Sequence, residues 1–362
     1  AKSQPELPKY QPATPSKFSA GQKSLLQLPK TILPNILPLQ FAFSSAQGRR
    51  PSNEDAEVVF CTDDYQGCAV FDGHGGSGVS QLAARLFPDF LRRNFSVSRP
   101  FQSVLKQTVQ EIDDLILQNT QFNETGSTVA VFVLFQQTCH VLNVGDSKTV
   151  LGLKENFFCT VDHKPTRKCE EARLLKLQKQ KLHQKQLLQN FGGVTRLNGN
   201  LSLSRAIGDQ YERANGLIAE PEVFQIRVCF DGVLEGKQLP KQEFEDPDLM
   251  GYAEVSSTVQ ELKFVLQACD GLFEVFEPAE VVQVVKALGG KCTEQNDKIS
   301  LAKALFNQNN QEIERICKRT KEWRSNYNYY QMGYQVQAKE TKKKICEVLV
   351  AMAILGGSQD NI

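Results

Sequence analysis

The chain has 362 residues, 41% of them hydrophobic and 23% charged, with a formal net charge of +1. These are the fractions of a soluble globular protein with a sizeable core, and the near-neutral balance argues against binding nucleic acid or a membrane surface through overall charge. No apolar run reaches the roughly 18 to 20 residues a bilayer span demands.

Residues 1–39 are rich in Pro, Ser, Lys and spaced Leu without helical or strand period, and read as an extended arm preceding a domain at 40–362. The start shows no signal-peptide pattern; because its first residue is not Met, a processed start stays open. From Phe41 the pattern becomes short apolar runs bounded by turn residues. Strands are predicted at 41–45, 56–62 and 68–71, followed by helices at 79–95 and 101–119 with apolar residues three and four apart. Further strands are predicted at 128–135, 138–144, 149–153, 157–161 and 223–230, with a helix at 169–188 before the last. That helix carries Lys168, Lys176, Lys179, Lys181 and Lys185, which read as a solvated face.

Two segments read as insertions. Residues 231–257 are polar and acidic; 291–344 carry Trp323 and a Tyr cluster around Tyr327, Tyr329 and Tyr330 that reads as a small local core. The apolar run 345–355 reads as a buried helix. Antiparallel-looking strands with clustered helices predict an α+β fold of two packed sheets covered by helices. The ten cysteines include no Cys-x-x-Cys pair. Cys68, Cys139, Cys229 and Cys269 lie in apolar runs and read as buried free thiols, which predicts a reducing compartment, cytoplasmic or nuclear.

Chemistry concentrates where apolar runs end in a carboxylate. Asp72 ends Val70-Phe71 and is followed by Gly73-His74-Gly75-Gly76; Asp146 follows Asn143-Val144-Gly145; Asp270 follows Cys269 and precedes Gly271. Asp55 lies beyond Arg50 and Glu54, and Asp360 beyond Gly356-Gly357-Ser358-Gln359. Carboxylates pointed into one cleft raise one another's pKa, and hard divalent cations relieve the repulsion. All-oxygen ligation suits Mg²⁺ or Mn²⁺ rather than zinc, and two such ions can activate a water and steady a phosphoryl group.

Eight fragments in order carry a family resemblance: 48–55, 71–76, 126–128, 143–147, 162–165, 203–209, 268–275 and 358–362. With them the chain resembles the metal-dependent protein serine/threonine phosphatases of the PP2C (PPM) family, from about Phe41 to the last residue. The resemblance implies a PP2C-like α/β/β/α sandwich that hydrolyses phosphoserine and phosphothreonine in proteins by attack of a metal-bound water. It implies that Asp55, Asp72, Asp270 and Asp360, with the Gly73 carbonyl, hold two Mg²⁺ or Mn²⁺ ions, Asp72 bridging them. Glu54 would steady a bound water, and Asp146 would hold a third, weaker ion. Arg50 would grip the substrate phosphate, and His74 would protonate the departing alkoxide. Arg205, Asp209 and His163 are expected to be structural, the first two holding a flap at 192–222 against the core. Phosphoprotein substrates are the expected partners, with no nucleic acid or membrane span, and a monomer is expected.

Lys148 departs from the family pattern, which has Arg there, and the resemblance implies an apolar strand after Ile362, where the sequence stops. The rival readings are a catalytically silent scaffold of the same fold and a nucleotide binder using Gly73–Gly78. A scaffold has no need of repelling carboxylates, and the glycines lack the Lys-Ser/Thr of a P-loop.

Overall fold

The computed structural model describes Leu39 and residues 41–180, 186–229, 259–288, 341–356 and 358–362. The arm before Leu39, the excursion at 231–257 and the expected insertion up to residue 340 lie outside these. In chain order the elements are β1 (Ala56–Cys61), β2 (Tyr65–Phe71), β3 (Gly73–His74), α1 (Gly78–Asn94), α2 (Phe101–Leu117), β4 (Gly126–Ser127) and β5 (Val129–Phe135). Then come β6 (Thr138–Val144), β7 (Lys148–Leu153), β8 (Phe157–Cys159), α3 (Lys168–Gln180), β9 (Leu188–Phe191), β10 (Val194–Leu197) and β11 (Ile207–Gly208). The last are α4 (Gln210–Arg213), β12 (Glu222–Cys229), β13 (Gln260–Ala268), α5 (Asp270–Phe273), α6 (Pro278–Leu288) and α7 (Thr341–Gly356).

Two antiparallel sheets, β1-β2-β5-β6-β12 and β13-β7-β8, stack face to face, and a short parallel contact of β12 with β13 joins them at one edge. Alternation along β5 shows why. Val129, Val131 and Val133 pack under α1 and α2, while Phe132 and Leu134 enter the core between the sheets with Leu151, Phe158 and Phe224. Buried on both faces, β5 is apolar throughout. The far side of β13 is covered by α5, α6 and α7 through Val281, Val284, Val348 and Met352. The layers therefore run helix, sheet, sheet, helix. No helix among the described residues is long and apolar enough to cross a membrane, and α7 buries Val348, Leu349, Met352 and Ala353 instead.

Two expectations are corrected. Residues 41–45 form no strand. Side chains engage the backbone there: Gln66 Oε1 accepts from the Leu39 amide at 2.9 Å, and Cys346 Sγ donates to the Ala42 carbonyl at 3.5 Å. The helix expected to reach 188 is described only to Gln180, and Leu188 opens a hairpin with β10. Gly192 and Gly193, both at positive φ (59° and 89°), supply the tight turn whose twist pulls 188–191 into pairing. The described lysines of α3, at 168, 176 and 179, are exposed, as a solvated face requires.

Candidate active site

Strand ends deliver the acids. Asp72 leaves β2, Asp146 leaves β6, Asp270 follows β13 at the start of α5, and Asp55 immediately precedes β1. One side-chain oxygen each from Asp72, Asp146 and Asp270 lie within 4.8 Å of one another, as do ligand atoms of Asp55, Asp72 and Cys269. Asp72 is common to both groups. Its backbone is clamped: the Thr128 amide donates to the Asp72 carbonyl at 2.9 Å, and the Asp72 amide donates to Thr128 Oγ1 at 3.1 Å. Thr128 Oγ1 is in turn 2.6 Å from Ser147 Oγ. Gly145 (φ +98°) must lack a side chain, because a Cβ would stand 2.7 Å from Thr128 Cγ2.

Asp360 is threaded into place from the other end of the chain. A Cβ on Gly48 (φ +62°) would lie 1.9 Å from the Asp360 carbonyl oxygen, and one on Gly271 1.9 Å from that of Asn361. The Asn361 amide donates to the carbonyls of Gln47 (2.7 Å) and Ser52 (3.0 Å) and accepts from the Glu54 N–H at 3.0 Å. Ala46 and Ile362 exchange two backbone hydrogen bonds of 2.8 and 3.0 Å. Asp360 is thus anchored between the loop of Arg50 and the loop of Asp270. It lies outside the two tight ligand groups, but its charge acts on Asp55, Asp72 and Asp270.

The electrostatics are those of an unrelieved acidic cluster. Burial, then the charges of Asp270, Asp55, Asp146 and Asp360, push Asp72 well above the carboxylate range. Burial, then Asp146 and Asp360, do the same to Asp270. Asp55 rises to about 6, chiefly through burial, and its Oδ1 is buried without a hydrogen-bond partner. These donors fit hard divalent cations, which would satisfy the orphaned oxygen and cancel the repulsion. Cys269 is not part of that donor set: burial first, then the neighbouring aspartates, keep its thiol protonated, and it donates to the Asn361 carbonyl at 3.3 Å.

The raised pKa values fix a sign. An acid held above its unfolded value favours the fold at low pH and costs stability as pH rises from its unfolded value through the folded one; for Asp55 that window is 3.8 to about 6. Mn²⁺ needs the ionised form, so the melting-temperature increase caused by Mn²⁺ should grow between pH 5 and pH 8. A pH-independent increment in paired melts would contradict a carboxylate metal site.

The remaining predicted residues surround the cluster. Arg50, half exposed, pairs with Asp360. Lys164 pairs with Asp146, and Lys148, where the family has Arg, with Asp162. Gly73, in β3, sits opposite Ser127; a Cβ there would meet the Glu54 carbonyl oxygen at 2.4 Å. The Glu54 carboxylate turns to Ser52 Oγ at 3.5 Å. His74 Nε2 lies 2.7 Å from Asp209 Oδ2. His163 is fully buried, its Nδ1 accepting from the Gly145 amide at 3.1 Å. Arg205 bonds Glu170 of α3 and the Glu220 carbonyl. Sequence reasoning did not identify the Thr128–Ser147 clamp or the proximity of Cys269; the Gly-Ser-Thr and Gly-Asp-Ser fragments were the available signal.

A family model for protein phosphatase 2C matches residues 39–362. The chain is 30% identical over 289 residues to "Probable protein phosphatase 2C 3" of Paramecium tetraurelia, covering 74% of this chain and 84% of that one. It is 30% identical over 258 residues to "Protein phosphatase 2C homolog 3" of Schizosaccharomyces pombe, covering 68% and 54% respectively. A solved serine-threonine phosphatase 2C from Toxoplasma gondii superposes with a TM-score of 0.52 at 18% identity, covering 78% of this chain and 89% of that one.

Proposed function

The chain belongs to the protein phosphatase 2C family and is a serine/threonine protein phosphatase, and from that premise we propose that it works through a binuclear Mg²⁺ or Mn²⁺ centre. Asp55, Asp72, Asp270, Asp360 and the Gly73 carbonyl would hold two ions, and Asp146 a third, weaker one. The observation that carries this reading is Asp72, whose carboxylate belongs to both ligand groups and is itself driven toward neutrality by its neighbours. When bound, two divalent cations supply a water of lowered pKa and neutralise phosphoryl oxygens.

The chain's own residues do the rest. Arg50 lies beside Asp360 with half its side chain exposed, so its guanidinium can turn to two oxygens of an incoming phosphate. Glu54, next to Asp55 in the chain, would steady the attacking water, which gives up one proton to solvent. As water oxygen bonds to phosphorus, the bond from phosphorus to the Ser or Thr oxygen breaks. That oxygen takes a proton from His74, giving the free hydroxyl and inorganic phosphate; solvent restores the histidine.

The test is phosphate release from a phosphothreonine peptide with Mn²⁺ or Mg²⁺, set against EDTA and Asp270→Asn. Metal-dependent release lost in Asp270→Asn is expected. No turnover by folded, metal-replete protein would overturn the proposal in favour of a silent scaffold.

A further inference from the structure

We propose that Asp209 is the positioning residue of His74, holding the imidazole by Nε2 so that Nδ1 is the nitrogen left to serve the leaving oxygen. This rests on the reading of His74 as the proton donor.

The argument begins with the small sheet β3-β4-β11, whose register sets His74 opposite Gly126 and Gly126 opposite Gly208. His74 and Asp209, the residue after Gly208, therefore approach each other across Gly126. A Cβ on Gly126 would fall 2.0 Å from Asp209 Oδ2 and 2.5 Å from His74 Nε2. The pair occupies the space that any side chain at 126 would need, which gives the glycine of the Gly-Ser-Thr fragment a physical reason.

Asp209 is also placed at a conformational cost. Its φ and ψ are +49° and +51°, in the left-handed region that non-glycine residues rarely adopt. It stands at the N-cap of α4, where an aspartate ordinarily bonds the helix amides, yet its side chain makes no capping bond and goes to His74 instead. The carboxylate is buried, whereas 27% of the His74 side chain is exposed, so one edge of the ring is fixed and another is reachable.

The backbone that imposes this geometry is tied to the core. The Asp209 amide donates to the Thr125 carbonyl at 2.9 Å, and the Gly208 amide donates to Asp113 Oδ1 at 2.8 Å. Asp113, buried on α2, accepts from Arg213 Nη2 at 2.5 Å, and Arg213 Nε donates back to the Gly208 carbonyl at 2.9 Å. A bonded path thus runs from α2 through Arg213 and Gly208 to Asp209 and the ring it orients. A purely structural acid would be served as well by a cap on α4 and would need neither the left-handed backbone nor a glycine at 126.

The test compares His74→Ala, Asp209→Asn and the double variant on a phosphothreonine peptide, whose alkoxide needs a proton to leave, and on p-nitrophenyl phosphate, whose phenolate does not. Asparagine preserves shape and tolerates the left-handed region. A positioned general acid contributes about 10²- to 10⁴-fold, so His74→Ala should lower kcat on the peptide by about 10²-fold or more and Asp209→Asn by about 10-fold. With p-nitrophenyl phosphate each loss should be at least about 10-fold smaller. The double variant should match His74→Ala alone, since Asp209 acts only through the ring. Equal losses by Asp209→Asn on both substrates, or losses additive with His74→Ala, would overturn the positioning role while leaving His74 as acid. Equal losses by His74→Ala on both would overturn both readings. Independently of any variant's folding, a ¹⁵N pH titration of the His74 ring in wild-type, Mg²⁺-loaded protein should show a proton on Nε2 throughout, with a second proton on Nδ1 in the charged, donating form; a neutral ring that carries its proton on Nδ1 would reject the proposal.

Discussion

Asp72→Asn should raise the melting temperature of the metal-free protein while abolishing its phosphatase activity. The two effects have one cause. Asp72 is half-buried beside Asp270, Asp55, Asp146 and Asp360, and desolvation and all four charges oppose its ionisation. An amide of the same shape removes a carboxylate that burial and like charge make unfavourable, and keeps the clamp from Thr128, which bonds only the Asp72 backbone. One pKa unit of unfavourable shift corresponds to about 1.4 kcal/mol, and for a domain of this size each kcal/mol moves the midpoint by about 2 to 4 °C. A gain of a few degrees is therefore expected without metal. Ligand at about 100 times its Kd stabilises by about 2.7 kcal/mol, so the order of stability should reverse in saturating Mn²⁺. Turnover on a phosphopeptide should fall about 10³-fold or more, because metal stabilisation of developing charge amounts to several kcal/mol at about 1.4 kcal/mol per tenfold. Differential scanning fluorimetry with and without Mn²⁺ reads the first effect and phosphate release the second. A variant that melts several degrees lower without metal and still gains as much from Mn²⁺ would place the ions elsewhere.

Asp55 and Asp360 end no apolar run and were legible only through the ordered family fragments, whereas Asp72, Asp146 and Asp270 were legible because each ends such a run at a glycine turn, a local pattern. The layered fold was legible for the same reason: β5 and β6 are long enough for alternation and burial to register in composition. What escaped was non-local or too short to carry a period. β3, β4 and β11 have two residues each, so no alternation announces them, and the meeting of His74 with Asp209 depends on their register across 135 positions. The sequence therefore offers Asp209 as a flap anchor and carries no sign of its histidine neighbour. The clamp of Thr128 on Asp72 was hidden likewise, since Gly-Ser-Thr says nothing of what its hydroxyls meet. Residues 41–45 misled in the opposite direction: an apolar, aromatic run has strand composition, but pairing is decided by available partners, and among the described residues the backbone pairing in this stretch is that of Ala46 with Ile362. The helix expected to 188 failed because the lysine and glutamine spacing continues past Gln180, while the decisive signal, Gly192-Gly193, lies downstream and acts through turn geometry.

Glu170→Ala should be strongly destabilising although it lies outside the metal cluster. Glu170 is 1% exposed and accepts from Arg205 Nη2 at 2.5 Å, Arg205 Nε at 3.1 Å and Arg173 Nη2 at 2.8 Å. Burial alone would raise its pKa, but the Arg205 and Arg173 contacts outweigh it and hold the carboxyl at about 2. Removing the anion takes their shared counter-ion from two partly desolvated guanidinium groups, which keep only the carbonyls of Gly216 and Ser204 (Arg173) and of Glu220 (Arg205) and the more distant Glu222; breaking a buried pair costs about 3 to 5 kcal/mol, a fall of about 10 °C. Glu170→Gln, which keeps the packing and one acceptor, should lose less. The pH dependence has a definite sign. A carboxyl depressed in the folded state contributes stability that is complete above its unfolded value of 4.5 and disappears as pH falls toward about 2. The gap in melting temperature between wild type and Glu170→Ala should therefore be widest above pH 5 and close steadily below pH 4, whereas a loss due to packing alone would leave it constant. Because Arg205 also holds the Glu220 carbonyl at 2.9 Å and follows Leu203-Ser204 on the path to Asp209, the same variant should slow the phosphopeptide reaction even at temperatures where it remains folded. Stability and catalysis meet at that arginine: it joins α3, which carries the exposed lysines, to the segment that orients His74.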